Sequence, residues 1–178
     1  NNYNIYITKS GYSSDQTYTS SAELPTPDKP PVSVYEGQTT SISFSIDKTV
    51  NIDVNIIDTA GNPMAYRDFN IKGDKVIGHD DLGEPVYKYN ETHTSNTLGH
   101  ITLNDIEWDS YTFSIAGNEP YSISESNPIQ PIDLLPEDSK ALTITLKAED
   151  PHSVLIIVKD IDDNDISEGS IRYRIIVY

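Results

Sequence analysis

The chain has 178 residues and a formal net charge of -16, with 12 basic against 28 acidic residues. This excess of acid repels phosphates, so the sequence predicts neither nucleic acid nor an anionic membrane as a partner. Cysteine is absent, which excludes disulfides and thiol chemistry, and no apolar stretch reaches the roughly 20 residues of a membrane helix. Because Asn1 opens the chain without an initiator methionine, we expect a mature or excised piece.

Apolar residues alternate with Ser, Thr, Asn and Asp along most of the chain, which is the period of a strand with one buried face. In chain order, the alternating runs are residues 42–46, 52–56, 111–115, 142–146 and 155–157. Turn-forming residues separate them, for example at 60–63, 81–83 and 116–118. No segment keeps helical spacing over three turns. The pattern predicts an all-β sandwich.

The same alternation predicts which side chains meet in the core. The residues expected to face a common core are Val54, Ile56, Leu103, Phe113, Ile115 and Leu142.

Several blocks recur about 100 residues later in the same order, which predicts an internal repeat rather than chance similarity between strands. The matched pairs are residues 31–34 with 131–134, 42–46 with 142–146, 54–58 with 156–160 and 69–71 with 171–173. At the front, residues 3–7 are similar to 111–115, with a short insertion to explain the different spacing.

The repeat places one complete sandwich unit at residues 50–149. Residues 1–49 would then hold the closing strands of an upstream unit, and residues 150–178 the opening strands of a following one. Half a sandwich leaves apolar strands bare, so we expect residues 1–49 and 150–178 to complete each other. Completion within one chain is favoured over completion between chains, because tethered ends have an effective concentration on the order of millimolar.

Residues 54–63, 68–71, 97–103 and 108–113 carry a family resemblance. They resemble the carboxypeptidase-regulatory-like and Cna protein B-type β-sandwich superfamily, with its Asp-x-x-Gly-x-Pro turn, its Thr-x-x-Gly turn and its Gly-x-Tyr strand. Residues 109–111, Asp-Ser-Tyr, stand where that family usually has Gly-x-Tyr, so Asp109 replaces the glycine. The resemblance implies an immunoglobulin-like (prealbumin-like) fold, in repeats of about 100 residues.

A narrower resemblance involves residues 8–18, 35–38, 73–78, 87–89 and 107–111. These segments are similar to the ectodomains of prepilin-type surface proteins of uncultured bacteria. What the similarity implies is an extracellular role at the cell surface or in an appendage.

Some Cna protein B-type relatives also carry a bond between a lysine amine and an asparagine carboxamide. Lys159 stands where that lysine would lie, whereas the equivalent position of the complete unit is Ile57. The resemblance therefore implies no such bond within residues 50–149, and it leaves Lys159 open.

Asp160, Asp162 and Asn164 place oxygen atoms at alternate positions, as calcium-binding loops do. The loop is not an EF-hand, because Asp165 replaces the glycine at the sixth position and Ile171 replaces the acid at the twelfth. A plain β-turn is the favoured interpretation, since residues 59–62 form a turn at the equivalent place, and weak calcium binding is the alternative. We expect no other cofactor.

The remaining polar residues do not predict catalysis. The acidic pairs Asp80/Asp81 and Glu107/Asp109 are interpreted as solvated loops, and only His79 has ligand-like neighbours among the histidines. No Gly-x-Ser-x-Gly elbow or phosphate loop is present, so the sequence predicts no enzyme.

Aromatic side chains could form a sugar platform, although most are expected to pack at the sandwich edge. The candidates are Tyr12, Tyr18, Tyr87, Tyr89, Trp108 and Tyr121. Trp108 is predicted to be a core or corner residue.

Together these points favour a non-catalytic structural or adhesive module of an extracellular bacterial surface or pilus-associated protein. Its expected partners are neighbouring sandwich units or subunits, together with a host or matrix protein or a glycan. Two alternatives stay open. A carbohydrate-binding module would need an exposed row of aromatics, and an accessory domain of a secreted hydrolase would need a catalytic domain elsewhere in the gene.

Overall fold

The computed structural model describes residues 1–117 and 119–149, which contain strands and no helix. The strands of this part are β1 (Asn2–Tyr3), β2 (Tyr6–Ile7), β3 (Asp15–Gln16), β4 (Thr26–Pro27), β5 (Val32–Ser33), β6 (Val50–Asp58), β7 (Asp68–Gly73), β8 (Val76–His79), β9 (Pro85–Tyr87), β10 (Asn90–Thr94), β11 (His100–Ile106), β12 (Ser110–Ile115), β13 (Tyr121–Asn127), β14 (Ile132–Asp133) and β15 (Ser139–Ala148). None of the described residues belongs to a helix that could cross a membrane.

Two four-stranded sheets form the body of the molecule, in the orders β11-β6-β15-β13 and β10-β7-β12-β14. Strands β6, β7, β12 and β15 alternate in burial: in β6, Val50 and Ile52 are fully buried while Asn51 between them is exposed. Such alternation places one face of each sheet inward. The all-β, sandwich-like architecture predicted from the sequence is therefore confirmed.

One hydrophobic core joins the inner faces of the two sheets. Its buried members are Val50, Ile52, Val54, Ile56, Phe69, Ile71, Leu103, Ile106, Tyr111, Phe113, Ile132, Leu134, Leu142, Ile144 and Leu146. Five of the six predicted core residues belong to it, and Ile115 packs against it while partly exposed. The predicted inside and outside register of β6, β12 and β15 is therefore confirmed.

The first and last long strands of the sandwich are direct neighbours. β6 and β15 pair in parallel from Ser139 opposite Asn51 to Leu146 opposite Asp58. Parallel neighbours need a long connection, and here it includes all the strands from β7 to β14. The central ladder of this sheet therefore forms only when the two ends of the unit come together.

Two tight turns meet at one end of the sandwich. After β6, the carboxylate Oδ1 of Asp58 accepts hydrogen bonds from the backbone N–H groups of Ala60 and Asn62, both at 2.8 Å. Before β11, Gly99 adopts φ +68°, and a Cβ at this position would lie 2.6 Å from the carbonyl oxygen of Ile56. Glycine is required here both by the backbone conformation and by the close approach of β6.

Residues 1–49 contain only short strands, and one of them pairs with a hairpin that belongs to neither main sheet. β8 and β9 form this hairpin between β7 and β10, and β4 pairs with β8 through Thr26 opposite His79. The remaining short pairs are β1 with β5 and β2 with β3. The N-terminal segment therefore extends the hairpin instead of adding a strand to either main sheet.

Residues 42–46 differ from the strand that their alternation predicts. They form no strand with any described part of the chain, and Ile42 is 37% exposed. The equivalent block of the predicted repeat, residues 142–146, lies inside β15. Alternation favours a strand only when a neighbouring strand supplies hydrogen bonds, and none of the described residues forms such a neighbour here.

The strand predicted at residues 155–157 and the half-unit 150–178 lie outside the described residues.

Candidate binding cleft

A cleft lies between the N-terminal segment and the sandwich. It consists of two adjoining cavities with volumes of about 310 Å³ and 520 Å³, and both have Lys88 and Glu107 in their walls. The first cavity lies between residues of the N-terminal segment and β8, and the second lies between residues 6–14 and the end of β11. The Lys88–Glu107 pair therefore lies where the two cavities adjoin.

Glu107 is the central charge of the cleft. Its side chain is 9% exposed, and its two oxygens bind different ammonium groups: Oε1 lies 2.7 Å from Lys75 Nζ and Oε2 lies 2.5 Å from Lys88 Nζ. The core residue Tyr111 fixes its backbone, because the Tyr111 hydroxyl donates to the Glu107 carbonyl oxygen at 2.7 Å. A buried carboxylate needs such partners to offset its lost hydration.

Lys75 lies in the turn between β7 and β8, with its ammonium group over the indole ring of Trp108. The Nζ atom is 3.2 Å from the ring centroid and donates to the Trp108 carbonyl oxygen at 2.5 Å. Burial lowers the pKa of the Lys75 amine, while the hydrogen bond with the Glu107 carboxylate acts in the opposite direction. The site thus combines a cation–π contact with an ion pair.

Asp109 holds the same turn from the other side. Its Oδ2 atom accepts a hydrogen bond from the backbone N–H of Lys75 at 3.0 Å. A Cβ on Gly73 would lie 2.4 Å from that oxygen, so any side chain at residue 73 would displace the Asp109 carboxylate. Residues 107–109 are therefore fixed on the turn that carries Lys75.

Lys88 connects the sandwich to the N-terminal segment, because its Nζ atom donates to the carbonyl oxygen of Ser14 as well as binding Glu107. Next to this contact, the Asp15 carboxylate accepts a hydrogen bond from Lys29 Nζ and another, at 3.0 Å, from the backbone N–H of Ser45. These bonds order the segment that forms one wall of the cleft.

The pKa of Asp15 is lowered below its usual value. Burial raises the pKa of this carboxyl, but the hydrogen bonds from Lys29, Ser45 and Gln16 outweigh that effect because they favour the charged form. Asp15 is therefore a carboxylate that the folded state stabilises.

Aromatic rings line both cavities. Tyr18 and Trp108 border the first, and Tyr6, Tyr12 and Tyr89 border the second. Tyr89 joins the cleft to the core through an edge-on contact with Tyr111, with ring centroids 5.6 Å apart, and burial raises its pKa to about 12.

Trp108 also presents an unused donor. Its indole Nε1 is buried and has no hydrogen-bond partner among the described residues. Because protein atoms enclose this nitrogen, neither water nor a ligand in the cavity reaches it in this structure.

The structure changes the interpretation of one acidic pair. Glu107 and Asp109 were predicted to be solvated loops, and that prediction is wrong, because both carboxylates bind Lys75 at the edge of the core. The other pair fits a plain turn: Asp80 Oδ1 accepts from the backbone N–H groups of Leu82 and Glu84 at 2.9 Å and 2.8 Å. His79 precedes this turn at the end of β8.

The predicted edge role of the aromatic residues holds for several of them. Tyr89, Trp108 and Tyr121 are partly buried and pack against the core, as expected of edge residues. Tyr87 lies under the ammonium group of Lys72, at 4.3 Å, and outside both cavities. Tyr12 and Tyr18 lie instead on the N-terminal segment, where they line the cleft.

The calcium candidates Asp160, Asp162 and Asn164, and likewise Lys159, lie outside the described residues. Within residues 1–117 and 119–149, no group of three or more His, Asp or Glu side chains is placed to hold a metal ion.

Sequence reasoning did not identify Lys75 and Lys88 as members of a site. A signal was nevertheless present, because three short segments of the narrower resemblance, 73–78, 87–89 and 107–111, meet around Glu107. Their convergence depends on the sheet order, which alternation alone does not give.

Comparisons with protein families, with curated proteins and with solved structures found no match.

Proposed function

We propose that the chain is a non-catalytic structural or adhesive module of an extracellular bacterial surface or pilus-associated protein. We infer further that its sandwich is of the immunoglobulin-like (prealbumin-like) type, in repeats of about 100 residues. The extent of the core supports a unit at residues 50–149, since its buried residues run from Val50 to Leu146.

The parallel pairing of β6 with β15 is the observation that carries this proposal. β6 opens the unit and β15 closes it, and they are aligned over eight residue pairs from Ser139 opposite Asn51 to Leu146 opposite Asp58. When the two ends of the unit are pulled apart, these neighbours slide past each other, so all the hydrogen bonds between them resist together. This geometry suits a module in an extended surface protein that must withstand tension.

The docked N-terminal segment supports the same role. The β4–β8 pairing and the contact of Lys88 with Ser14 fix residues 1–49 on the unit that follows them in the chain. A preceding unit attached in this way has a fixed orientation, which an appendage built from repeated modules needs.

Single-molecule pulling tests the proposed mechanical role, and the absence of native cysteine makes every attachment point unique. Handles on Asn51→Cys and Glu149→Cys load β6 and β15 in shear. Handles on Asn51→Cys and Ser139→Cys load the same strands at one end, where the hydrogen bonds break one after another.

We expect a several-fold higher unfolding force in shear than in the second geometry, because forced unfolding is governed by the barrier along the pulled direction. Equal forces in the two geometries would contradict a force-resisting role.

Surface location is tested separately, with antibodies against residues 1–149 that should label intact cells of the source bacterium. Labelling only after lysis would argue against an extracellular role.

A further inference from the structure

The cleft around Glu107 has the dimensions of a binding site. Its cavities of about 310 Å³ and 520 Å³ each lie within the range of roughly 300 to 1,000 Å³ that is usual for small-molecule sites. They adjoin at Lys88 and Glu107, so one elongated ligand could occupy both by passing this pair.

The charges of the cleft balance, although the chain as a whole is strongly acidic. Four lysines and four carboxylates line the two cavities, namely Lys9, Lys29, Lys75 and Lys88 with Asp15, Asp28, Asp105 and Glu107. A charged ligand therefore finds no surplus of the opposite sign. A ligand with many groups that both donate and accept hydrogen bonds finds partners of both kinds in the same wall.

Hydroxyl groups and aromatic rings complete the lining. Ser10, Ser13 and Ser14 border the second cavity together with Tyr6 and Tyr12. Aromatic rings next to polar groups suit a molecule with apolar C–H faces and a rim of hydroxyls.

From these observations we propose that the cleft binds a short, neutral oligosaccharide, with one sugar in each cavity and the link between them beside the Lys88–Glu107 pair. Sugar hydroxyls bond to the paired charges, and the apolar faces of the sugars pack on the aromatic rings of the lining. This inference does not depend on the mechanical role, since the pulling experiment uses neither the cleft nor a ligand.

Trp108 is the only tryptophan of the chain, so it provides a specific signal. The indole N–H gives a single resonance in a proton–nitrogen correlation spectrum of the full chain. The probes are cellotriose, maltotriose, xylotriose and tri-N-acetylchitotriose, with trigalacturonic acid as an acidic sugar and tetraserine as a neutral peptide. We expect a saturable shift of the indole resonance with at least one of the neutral sugars.

Two variants place the binding in the cleft. Tyr18→Ala removes a ring from the first cavity and Tyr12→Ala removes one from the second, and each should weaken binding about tenfold, the change that 1.4 kcal/mol produces. Tyr35→Ala, which removes a 64% exposed ring outside both cavities, should leave the affinity unchanged. Tyr18→Phe and Tyr12→Phe keep the rings and should bind with near wild-type affinity, which separates lost contacts from lost folding.

The proposal fails if none of the neutral sugars gives a saturable shift at millimolar concentration. It also fails if tetraserine or trigalacturonic acid alone binds, or if both alanine variants keep the wild-type affinity.

Discussion

At the scale of single residues, Glu107 helps to hold the N-terminal segment, because it binds the Lys88 side chain that contacts Ser14. One nearly buried carboxylate binds two ammonium groups, that of Lys75 in the β7–β8 turn and that of Lys88 between β9 and β10. Removing one partner of such an arrangement leaves the others without compensation. An exposed ion pair, by contrast, contributes little because water already solvates its members.

We therefore predict that Glu107→Gln destabilises the chain by about 3 kcal/mol, since it leaves Lys75 and Lys88 without their carboxylate. Chemical denaturation followed by circular dichroism measures this change. The control is Glu137→Gln, which breaks the pair with Lys48 where Glu137 is 69% exposed, and it should cost less than about 1 kcal/mol. Similar losses in the two variants would contradict the central role of Glu107.

Asp15 gives a second prediction at this scale, in the pH dependence of stability. Its pKa is lowered in the folded state, so it stabilises the fold above the unfolded value of about 3.9, and this contribution is lost as the pH falls through the folded pKa. Asp15→Asn should therefore lower stability near neutral pH and flatten its decline below about pH 4. The free energy of unfolding, measured from neutral pH into this acid range, checks this. Parallel curves for the two proteins would show that Asp15 makes no such contribution.

Among single residues, the sequence predicts burial in the core but not the contacts between charged side chains. Alternation predicts that Val54 and Phe113 are buried, because strand geometry alone fixes which side chains share a face. It does not predict that Lys75 meets Glu107, since these residues are distant in sequence and converge only through the order of the strands. Their charges suggested exposure, which is the usual but not the universal environment of charged groups.

At the scale of structural elements, the turns after β6 and before β11 determine how one end of the sandwich closes. Asp58 and Asn96 each accept backbone hydrogen bonds within their own turns, and Gly99 brings the second turn against β6. Turn chemistry of this kind is local, so the sequence predicts both turns. Their contact with each other is not local and emerges only from the fold.

Gly99→Ala is predicted to destabilise the chain by at least about 2 kcal/mol, because strain at positive φ adds to a clash with the carbonyl oxygen of Ile56. Gly83→Ala is the matched control. Gly83 also has a positive φ, of +82°, but a Cβ there would meet no atom within 4 Å, so only the strain of roughly 1 kcal/mol remains. Thermal and denaturant unfolding of both variants tests the difference, and equal losses would mean that the clash is relieved without cost.

At the scale of the whole molecule, the sequence predicts the architecture better than the site. The strands of the sandwich carry their own pattern, so β6, β12 and β15 follow from alternation. The cleft depends instead on where residues 1–49 come to lie, which is determined by long-range contacts such as the pairing of β4 with β8. No short pattern encodes these contacts, and the aromatic residues that they bring together are far apart in the chain.

The segment before β6 also depends on long-range contacts, because its apolar residues lack a neighbouring strand. Ile42 is 37% exposed, and residues 42–46 form no strand with the described part of the chain. In the sequence, Leu155, Ile157 and Ile175 belong to apolar segments of the predicted following half-unit. Apolar extended segments without neighbours recruit other strands, so the predicted repeat implies that residues 150–178 supply them.

We predict that residues 150–178 complete a sandwich unit with residues 1–49 of the same chain, because tethering gives an effective concentration on the order of millimolar. Ending the chain at Glu149 should then speed hydrogen exchange at residues 42–46, while exchange in β6 and β15 stays unchanged as an internal control. Completion between chains would instead make the protection of residues 42–46 in the full chain depend on protein concentration. If truncation leaves hydrogen exchange at residues 42–46 unchanged, those residues do not pair with residues 150–178. The unit boundaries assigned from the repeat would then be wrong.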